Sequence, residues 1–310
     1  MIVVLFIVSL LVFLLTNFIG DPVDMLVPEN ATLEQIESAR ARLGLDKPLP
    51  VQYGIFIRDV LHGNFGKSYI YGKPAMDLIF ERMPATLELV AVAACLVLCI
   101  AIPLGVYAGA YPKRASSKII MSGSILGISL PSFWVGMMMI YIFAVVLRLL
   151  PASGRGDTVM VGNVALSIFA PGGIRYVILP AITLALTNVA TMLRLTRSGI
   201  LENMRQDYIK FARAKGVPAK SILFGHALKN ALIPVVTIFG MDLGNMIAFT
   251  TITETIFAWP GMGKLLIDAI NKSDRPIIVA YLMAAACMFV VLNFIVDILY
   301  TLIDPRIELR

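Results

Sequence analysis

The stretch LELVAVAACLVLCIAIPLGVYAGA, from Leu87 to Ala110, decides the class of fold. As a helix it is long enough to cross about 30 Å of hydrocarbon, which takes roughly 20 apolar residues. Further segments of this kind are Met1–Ile19, Ile119–Leu150, Val177–Leu195, Ala231–Thr253 and Ile277–Ile303. The sequence therefore predicts an all-α membrane protein with six transmembrane helices.

The composition agrees with a bilayer as solvent. Of the 310 residues, 58% are hydrophobic and 15% are charged, whereas soluble domains are about one half apolar and one quarter charged. The net charge of +6 comes mainly from short loops between the apolar segments. That distribution indicates membrane orientation and argues against a nucleic-acid partner.

Two loops are the densest in Lys and Arg residues, at 112–118 and at 197–230. Cytoplasmic loops carry an excess of positive charge, and both loops lie on one side if the six segments alternate. We therefore expect a bacterial inner-membrane protein with both of these loops and both termini in the cytoplasm.

Two of the segments need comment. Met1–Ile19 lacks a basic start and a cleavage site, so it is interpreted as a retained first span and not as a signal peptide. Ile119–Leu150 is too long for one straight crossing. Either Pro131 kinks this helix or part of it lies along the membrane interface.

Residues 20–86 form an outward-facing segment with helical patterns of its own. Thr32 and Gln35 make a capping box for a helix that ends at Gly44. Apolar residues between Tyr53 and Leu61 indicate a second amphipathic helix, which ends at Gly63. The predicted organisation is a first transmembrane helix (1–19), an outer helical segment (20–86), a transmembrane domain (87–303) and a cytoplasmic tail (304–310).

The loop before the fifth span has the most informative pattern. Residues 206–215 indicate a short helix, residues 216–218 (Gly-Val-Pro) break it, and a second helix begins near Lys220 and runs into the span. The pattern alone leaves two hypotheses open. The short helix is either a lever that docks in a partner's groove or a basic helix that lies on anionic lipid. One face of this helix carries Tyr208, Phe211 and Ala212.

The stretch DYIKFARAKGVP (207–218), followed by HALKNALIP (226–234), resembles the coupling loop of ABC importer permeases. The family pattern is Glu-Ala-Ala, three residues, then Gly. This chain keeps Ala212 and Gly216, with Lys210 and Phe211 at the first two positions; further on it keeps Leu228, with His226 and Lys229 where Ile and Pro are usual. These departures resemble the branch that imports di- and oligopeptides, nickel, glutathione and opines.

Further stretches are similar to the same branch. They are RLGLDKPL (42–49), GNFGKS (63–68), ETIFAWPGMG (254–263) and DPR (304–306). The resemblance thus covers nearly the whole chain. Relatives usually carry a short basic segment before the first span, so we expect the natural start to lie upstream of Met1 or to have been trimmed.

This resemblance implies a type I ABC importer (MetI-like) permease fold and a non-catalytic subunit. The implied partners are two cytoplasmic ATPases that use ATP and Mg, a second homologous permease, a periplasmic binding protein and membrane lipid. The cargo is a di- or oligopeptide, with glutathione, nickel or opines as alternatives. The implied ATPase-coupling residues are Asp207, Tyr208, Phe211, Ala212, Arg213, Ala214, Gly216, His226 and Leu228.

The sequence of the loop after the fifth span indicates another interfacial element. Pro260-Gly261 turns the chain into a helix, and one face of that helix carries an apolar stripe. In relatives such an element contacts the binding protein, and a plain interfacial anchor is the alternative. The outer-mouth residues are Glu254, Phe257, Pro260, Gly261 and Gly263, and the stripe is Met262, Leu265, Leu266, Ala269 and Ile270.

Polar residues within spans are costly and call for an explanation. Asp242 lies near the middle of the fifth span, where an ionised carboxylate favours a wet path that attracts a peptide ammonium group. Asp297 stays unassigned. Interhelical hydrogen bonds are the favoured interpretation for Thr183, Thr187 and Thr191 and the alternative one for Asp242. The hypothetical translocation path comprises Asp242, Asn245, Thr187 and Asn188.

Several chemistries find no support in the sequence. The stretch WPGMGK (259–264) lacks the spacing and hydroxyl residue of a phosphate-binding loop. The only histidines, His62 and His226, are far apart, and all three cysteines lie in apolar segments. We expect no enzyme activity, no metal and no bound cofactor in this chain. The remaining alternatives are an ion-coupled secondary transporter, which would need inverted repeats, and a structural scaffold.

Overall fold

The computed structural model describes residues 2–16, 23, 27 and 31–303. Its helices are α1 (Ile2–Thr16), α2 (Leu33–Leu43), α3 (Leu49–Leu61), α4 (Ala75–Ala110), α5 (Ala115–Ser129), α6 (Ser132–Met139), α7 (Ile174–Asn203), α8 (Asp207–Ala214), α9 (Ala219–Ser221), α10 (Leu228–Ile256), α11 (Met262–Asn271) and α12 (Arg275–Ile303). Two π-helical segments, Ile140–Val146 and Ile222–Ala227, continue α6 and join α9 to α10. Strands β1 (Val159–Val161) and β2 (Val164–Leu166) form an antiparallel hairpin.

Four helices of the described chain are long and apolar enough to cross a membrane. They are α4, α7, the continuous helix Ala219–Ile256, and α12 as far as Val296. The bent pair of α5 and α6 adds a fifth candidate. The predicted all-α membrane architecture is confirmed. The first predicted span stays a prediction, because α1 is apolar only over Val3–Leu15 and neighbouring residues lie outside the described part.

The third predicted span is not one straight helix. Residues 115–129 and 132–146 form two arms that meet at an angle of 105°. Leu130 is extended, with φ −90° and ψ 130°, and Pro131 follows it. Proline lacks an N–H donor and disfavours helical geometry at the preceding residue. The kink expected at Pro131 is therefore present, and each arm is about 22 Å long.

The outer segment has its predicted caps. The Thr32 N–H donates to Gln35 Oε1 at 3.0 Å, and Gly44 ends α2 with φ 68°. Helix α3 ends at Leu61, two residues before the predicted stop at Gly63. Helix α4 already begins at Ala75, so no break occurs at the predicted boundary of 86 and 87. Of the predicted organisation, residues 1, 17–22, 24–26, 28–30 and 304–310 lie outside the described part.

The chain divides into two compact units, residues 1–84 with 260–290 and residues 85–259 with 291–310. In the first unit, α3 packs on α1 through aromatic rings. The Phe13 and Tyr53 centroids are 5.3 Å apart, and the Ser9 and Tyr53 hydroxyls lie 2.9 Å apart. The predicted apolar face of the second outer helix thus finds its partner in the first apolar helix.

The core of the first unit forms where α11, the start of α12 and the start of α4 meet. Ile79, Met262, Leu265 and Ile277 are buried there. Beside it, the buried Asp274 carboxylate accepts hydrogen bonds from Ser68 Oγ and from the N–H groups of residues 69 and 70. A chain segment 200 residues away is thereby fixed to the start of α12.

The second unit is built around α7, which packs against α5, α6 and α10. Glycines also bring α4 close to α7. A Cβ at Gly105 would lie 2.6 Å from Thr196 Cβ, and one at Gly109 would lie 2.7 Å from Ile200 Cβ. Small residues four positions apart let helix backbones approach closely in membranes. Gly105 and Gly109 are therefore contact points between α4 and α7.

Candidate functional site

Helix α8 lies between α7 and α9 and has well-defined ends. Gln206 is extended at its start, and Asp207 stands in the first turn, where a negative charge stabilises the helix dipole. At the other end Gly216 has φ +79°, and the Val217 N–H donates to Ala212 O at 3.1 Å. A left-handed glycine that satisfies the last carbonyls is a common helix stop. The predicted short helix and its break at Gly216 are confirmed.

One apolar side chain fixes α8 to the spans. Ile209 is fully buried in a cluster of apolar side chains, the anchor cluster. The cluster draws on α4, α7, the second π-helical segment and α10. A displacement of α8 must therefore move the helix ends that hold Ile209, or else open a packed core. The buried members of the anchor cluster are Val106, Ile200, Ile209, Ile222, Ala227 and Ala231.

The structure separates the three residues that the sequence placed on one face. The Phe211 ring is 62% exposed, with Lys215 Nζ 4.6 Å from its centroid. Ala212 packs against the anchor cluster. The Tyr208 hydroxyl donates to Asn203 Oδ1 at 2.7 Å and accepts from Asn230 Nδ2 at 3.0 Å, so it joins the end of α7 to the start of α10. Phe211 is the large apolar group that α8 presents outward.

Charged groups surround Phe211 on the exposed side of α8. Lys210 Nζ donates to Asp207 Oδ1 at 2.8 Å, and this hydrogen bond lowers the pKa of Asp207 from its ordinary value. Arg213, Ala214 and Gly216 are also exposed. The surface is thus an apolar ring within a mixed, mainly basic border, which suits docking into a protein groove.

His226 and Leu228 lie beyond α9, at the end of the π-helical segment and the start of α10. The His226 side chain is exposed, whereas Leu228 packs against the anchor cluster. Single π-helical turns often mark functional sites because they widen a helix locally. Of the coupling residues implied by the sequence, Ala212 and Leu228 thus pack against the anchor cluster. The others are exposed.

The predicted outer-mouth residues are largely interior. Glu254 and Phe257 are buried, and the Glu254 carboxylate accepts a hydrogen bond from Thr86 Oγ1 at 2.6 Å. The neighbouring Trp259 donates from Nε1 to Ala85 O at 2.9 Å. Gly261 and Gly263 are buried and Pro260 is half-buried. These residues hold the loop in shape, and they offer a partner little surface of their own.

Helix α11 forms with the apolar stripe that the sequence predicted. Met262, Leu265 and Ala269 are buried in the core of the first unit, and Leu266 packs against it. Ile270, at the end of the stripe, is exposed. On the opposite side Lys264 pairs with Asp268 at 2.9 Å. The stripe is thus a packing face within the chain.

Three polar side chains of α7 form hydrogen bonds within their own helix. Thr183 donates to Leu179 O, Asn188 to Leu184 O and Thr191 to Thr187 O. The expectation of interhelical bonds for Thr183 and Thr191 is therefore not met by these contacts. Thr187 is exposed.

Asp242 is half-buried in α10, and its neighbour on the helix is polar. Asn245 forms a side-chain hydrogen bond with it and is itself exposed. This places a carboxylate and an amide together on one side of α10, as the path hypothesis requires. The side chain of Asp297 lies outside the described residues.

A buried ion pair was missed by the sequence analysis. Glu88 on α4 accepts hydrogen bonds from Arg155 Nη2 at 2.5 Å and from the N–H groups of Ser167 and Ile168 at 2.6 Å. Arg155 also donates to Ala165 O. A lone acid in an apolar stretch was the available signal, but its partner is 67 residues away. The pair fixes the β-hairpin to α4.

No group of three His, Cys, Asp or Glu side chains could hold a metal ion among residues 2–16, 23, 27 and 31–303.

Two family models match the chain. Residues 101–309 match the binding-protein-dependent transport system inner membrane component, and residues 1–90 match the N-terminal part of such a membrane component. The first match covers the end of α4 from residue 101 and α5 to α12, and it includes α8 and every member of the anchor cluster.

Several curated proteins are similar over nearly their whole length. The probable D,D-dipeptide transport system permease protein DdpB of Escherichia coli (strain K12) is 37% identical over 97% of this chain and 92% of its own. The di/tripeptide transport system permease protein DppB of Pseudomonas aeruginosa (strain UCBPP-PA14) is 39% identical over 97% and 94%. The oligopeptide transport system permease protein AppB of Bacillus subtilis (strain 168) is 40% identical over 93% and 90%.

A solved structure shares the fold. The MetNI methionine ABC transporter in an inward-facing conformation matches with a TM-score of 0.59 at 15% identity. The match covers 74% of this chain and 97% of that chain. At this identity the match bears on the fold alone.

Proposed function

Because the chain belongs to the binding-protein-dependent transport system inner membrane component family, we propose that it translocates peptides as the permease subunit of an ABC importer. The three relatives described above are named for dipeptide, di/tripeptide and oligopeptide transport. Peptides are their common cargo, and that favours peptides over glutathione, nickel or opines. The transmembrane domain, taken as residues 87–303, would supply the passage.

The proposed role of α8 is to receive the movement of a cytoplasmic ATPase. One observation carries this proposal: α8 buries Ile209 in the anchor cluster while it exposes 62% of Phe211 on the other side. An exposed aromatic anchor inserts into a partner's groove. The buried side chain then passes the movement to α4, α7 and α10. The loop 197–230 therefore works as a stiff connector between motor and passage.

The remaining partners follow from the chemistry that this chain would need. ATP and Mg would be bound and used by two cytoplasmic ATPase subunits. With one α8 per chain, two such motors call for a second, homologous permease. A periplasmic binding protein would deliver the peptide. The basic loops at 112–118 and 197–230 support a cytoplasmic position for α8 and for both termini.

Phe211→Ala tests the role of α8. In the importer reconstituted in proteoliposomes we expect the ATPase subunits to bind about tenfold more weakly or worse, because interface aromatic anchors contribute about 2 kcal/mol or more. ATP-driven peptide uptake should fall with them. The readouts are co-purification of the ATPases and uptake of a labelled peptide.

Phe169→Ala is the matched control, since Phe169 is 65% exposed but lies outside loop 197–230. Its ATPase binding should equal that of the unmodified protein. Full ATPase binding and uptake in Phe211→Ala would contradict the proposal. Uptake driven by a proton or sodium gradient without ATP would instead favour a secondary transporter, and an absence of uptake under all conditions would favour a scaffold.

A further inference from the structure

An open groove of about 460 Å³ lies beside the anchor cluster. One wall is the last part of α4 and the residues just after it, and the other wall is α9 with the π-helical segment that follows. Ile102, Val106, Leu223 and Phe224 make most of its surface apolar. Phe224 is 53% exposed. Such a surface is costly in water but suits contact with an acyl chain.

The groove has a basic end. Lys220 lines it, and no Asp or Glu is among its lining residues, all of which belong to the described part. Arg114 stands beside it, with Cζ 4.3 Å from the Tyr111 ring centroid and Nη1 3.5 Å from Tyr107 Oη. Tyr107 and Tyr111 both line the groove. Tyrosines and basic residues at the end of a membrane helix are typical of the lipid headgroup level.

The wall and the rim together match one kind of molecule. From Ile102 to Tyr111, α4 and its extension offer roughly 13 Å of apolar wall. The cationic groups stand at the end where α4 leaves its span and where α9 begins. Basic pockets between membrane helices on the cytoplasmic side bind anionic lipid headgroups. A free phosphate would use the rim and leave the wall exposed.

The geometry points to a binding site for one anionic phospholipid of the cytoplasmic leaflet. Its acyl chain lies between α4 and the π-helical segment, and its phosphate contacts Lys220 and Arg114. This inference rests on the proposed orientation of loop 197–230. Val106, Leu223 and Leu228 belong both to the groove and to the anchor cluster or its border. The lipid therefore packs against the back of the connector and strengthens the coupling of α8 to the spans.

The test uses the whole importer in nanodiscs of phosphatidylcholine with a minority of phosphatidylglycerol. Native mass spectrometry counts the phosphatidylglycerol molecules that stay bound. We expect Lys220→Gln with Arg114→Gln to retain at least about fivefold less, the scale of losing one or more basic contacts at an anionic surface. Ala110→Phe, which fills the groove, should have the same effect.

Lys229→Gln is the charge control, because Lys229 is exposed in the same region but does not line the groove. It should retain phosphatidylglycerol like the unmodified protein. Equal retention in the Lys220 and Arg114 variant would overturn the site. Displacement of the bound lipid by inorganic phosphate would reduce the site to a phosphate site and overturn it too. Cross-linking from Phe224→Cys provides a further check. If this variant cross-links to a protein subunit and not to a photoactivatable lipid, the groove is a protein interface and the lipid site is overturned.

Two readouts on the same samples separate this inference from the proposed function. If the ATPases co-purify and ATP drives uptake, but no lipid is selectively retained, only the lipid site is contradicted. If no ATPase co-purifies with the unmodified protein, the proposed function is contradicted, whatever lipid is bound. If Ala110→Phe does not assemble, the two charge substitutions still decide the question.

Discussion

Gly216 is the residue at which the coupling loop depends most on backbone conformation. Its φ of +79° lies in the left-handed region, and a Cβ there would meet no atom within 4 Å. Space is therefore available, and only the backbone opposes a side chain. A β-branched residue is a strong outlier at such an angle, and the left-handed conformation costs about 1–2 kcal/mol for an ordinary residue.

We predict that Gly216→Val lowers the peptide imported per ATP hydrolysed by about fivefold or more, as expected from that cost. Gly216→Asn is the matched variant, because asparagine tolerates left-handed geometry. It should keep most of the coupling. Parallel assays of hydrolysis and uptake in proteoliposomes provide the ratio. Unimpaired coupling in the valine variant would show that the bend at 216 is not needed.

Asp242 carries the prediction for the passage itself. If its carboxylate lines a wet path, Asp242→Asn should lower peptide uptake several-fold while the loaded binding protein still stimulates ATP hydrolysis. Asp242→Glu keeps the charge and should retain uptake. Both variants are measured with the same labelled peptide. Uptake in Asp242→Asn equal to that of the unmodified importer would remove Asp242 from the path.

Local sequence signals proved informative where the physics is local. Thr32, Gln35 and Gly44 predicted the ends of α2 because caps bond to neighbours a few residues away. Gly216 predicted the end of α8 for the same reason. Ile209 was not singled out, since its burial depends on α4, α7 and α10. Tyr208 is linked to Asn203 and Asn230, and such contacts follow only from the tertiary fold.

Among the elements, the β-hairpin shows how a short structure is held beside membrane helices. Its strands have three residues each, and an isolated hairpin is marginal in water. The buried pair of Glu88 and Arg155 fixes the hairpin to α4, together with the two N–H groups that donate to Glu88. Removal of one partner would leave the other charge buried and unpaired.

We predict that Arg155→Met destabilises the protein by about 3–5 kcal/mol, the usual cost of breaking a buried pair. The double variant Arg155→Met with Glu88→Gln should recover part of this loss, because no full charge then stays buried. Thermal unfolding in detergent measures both. Arg58→Met, which breaks the exposed pair with Asp59, is the control and should have little effect.

A double variant as unstable as the sum of the two single variants would contradict the coupling between Glu88 and Arg155.

The hairpin and the bend at Pro131 differ in how far the sequence predicts them. The hairpin residues 159–166 have no turn signal stronger than Gly162-Asn163, and nothing local indicates that Glu88 holds them. At Pro131, by contrast, the local rule did predict a bend. Its size of 105° depends on how α6 packs on α7 and α10.

Taken as a whole, the molecule consists of apolar helices joined by loops of unequal charge. The apolar segments of the sequence predicted α4, α7, α10 and α12 well, because crossing hydrocarbon imposes length and composition on each helix separately. The organisation into two units was not predicted. It depends on α4 and α12, each of which contributes to both units, and on contacts between distant parts of the chain.

The proposed function requires α8 to face the cytoplasm, where a nucleotide-hydrolysing partner can push it. Single cysteines at Lys215 and at Asn163, in a background without Cys95, Cys99 and Cys287, test this most directly. A membrane-impermeant maleimide is applied to intact cells and to inside-out vesicles. We predict that Lys215→Cys reacts only in the vesicles and that Asn163→Cys, at the hairpin turn, reacts only in the cells. Labelling of Lys215→Cys from outside intact cells would contradict it.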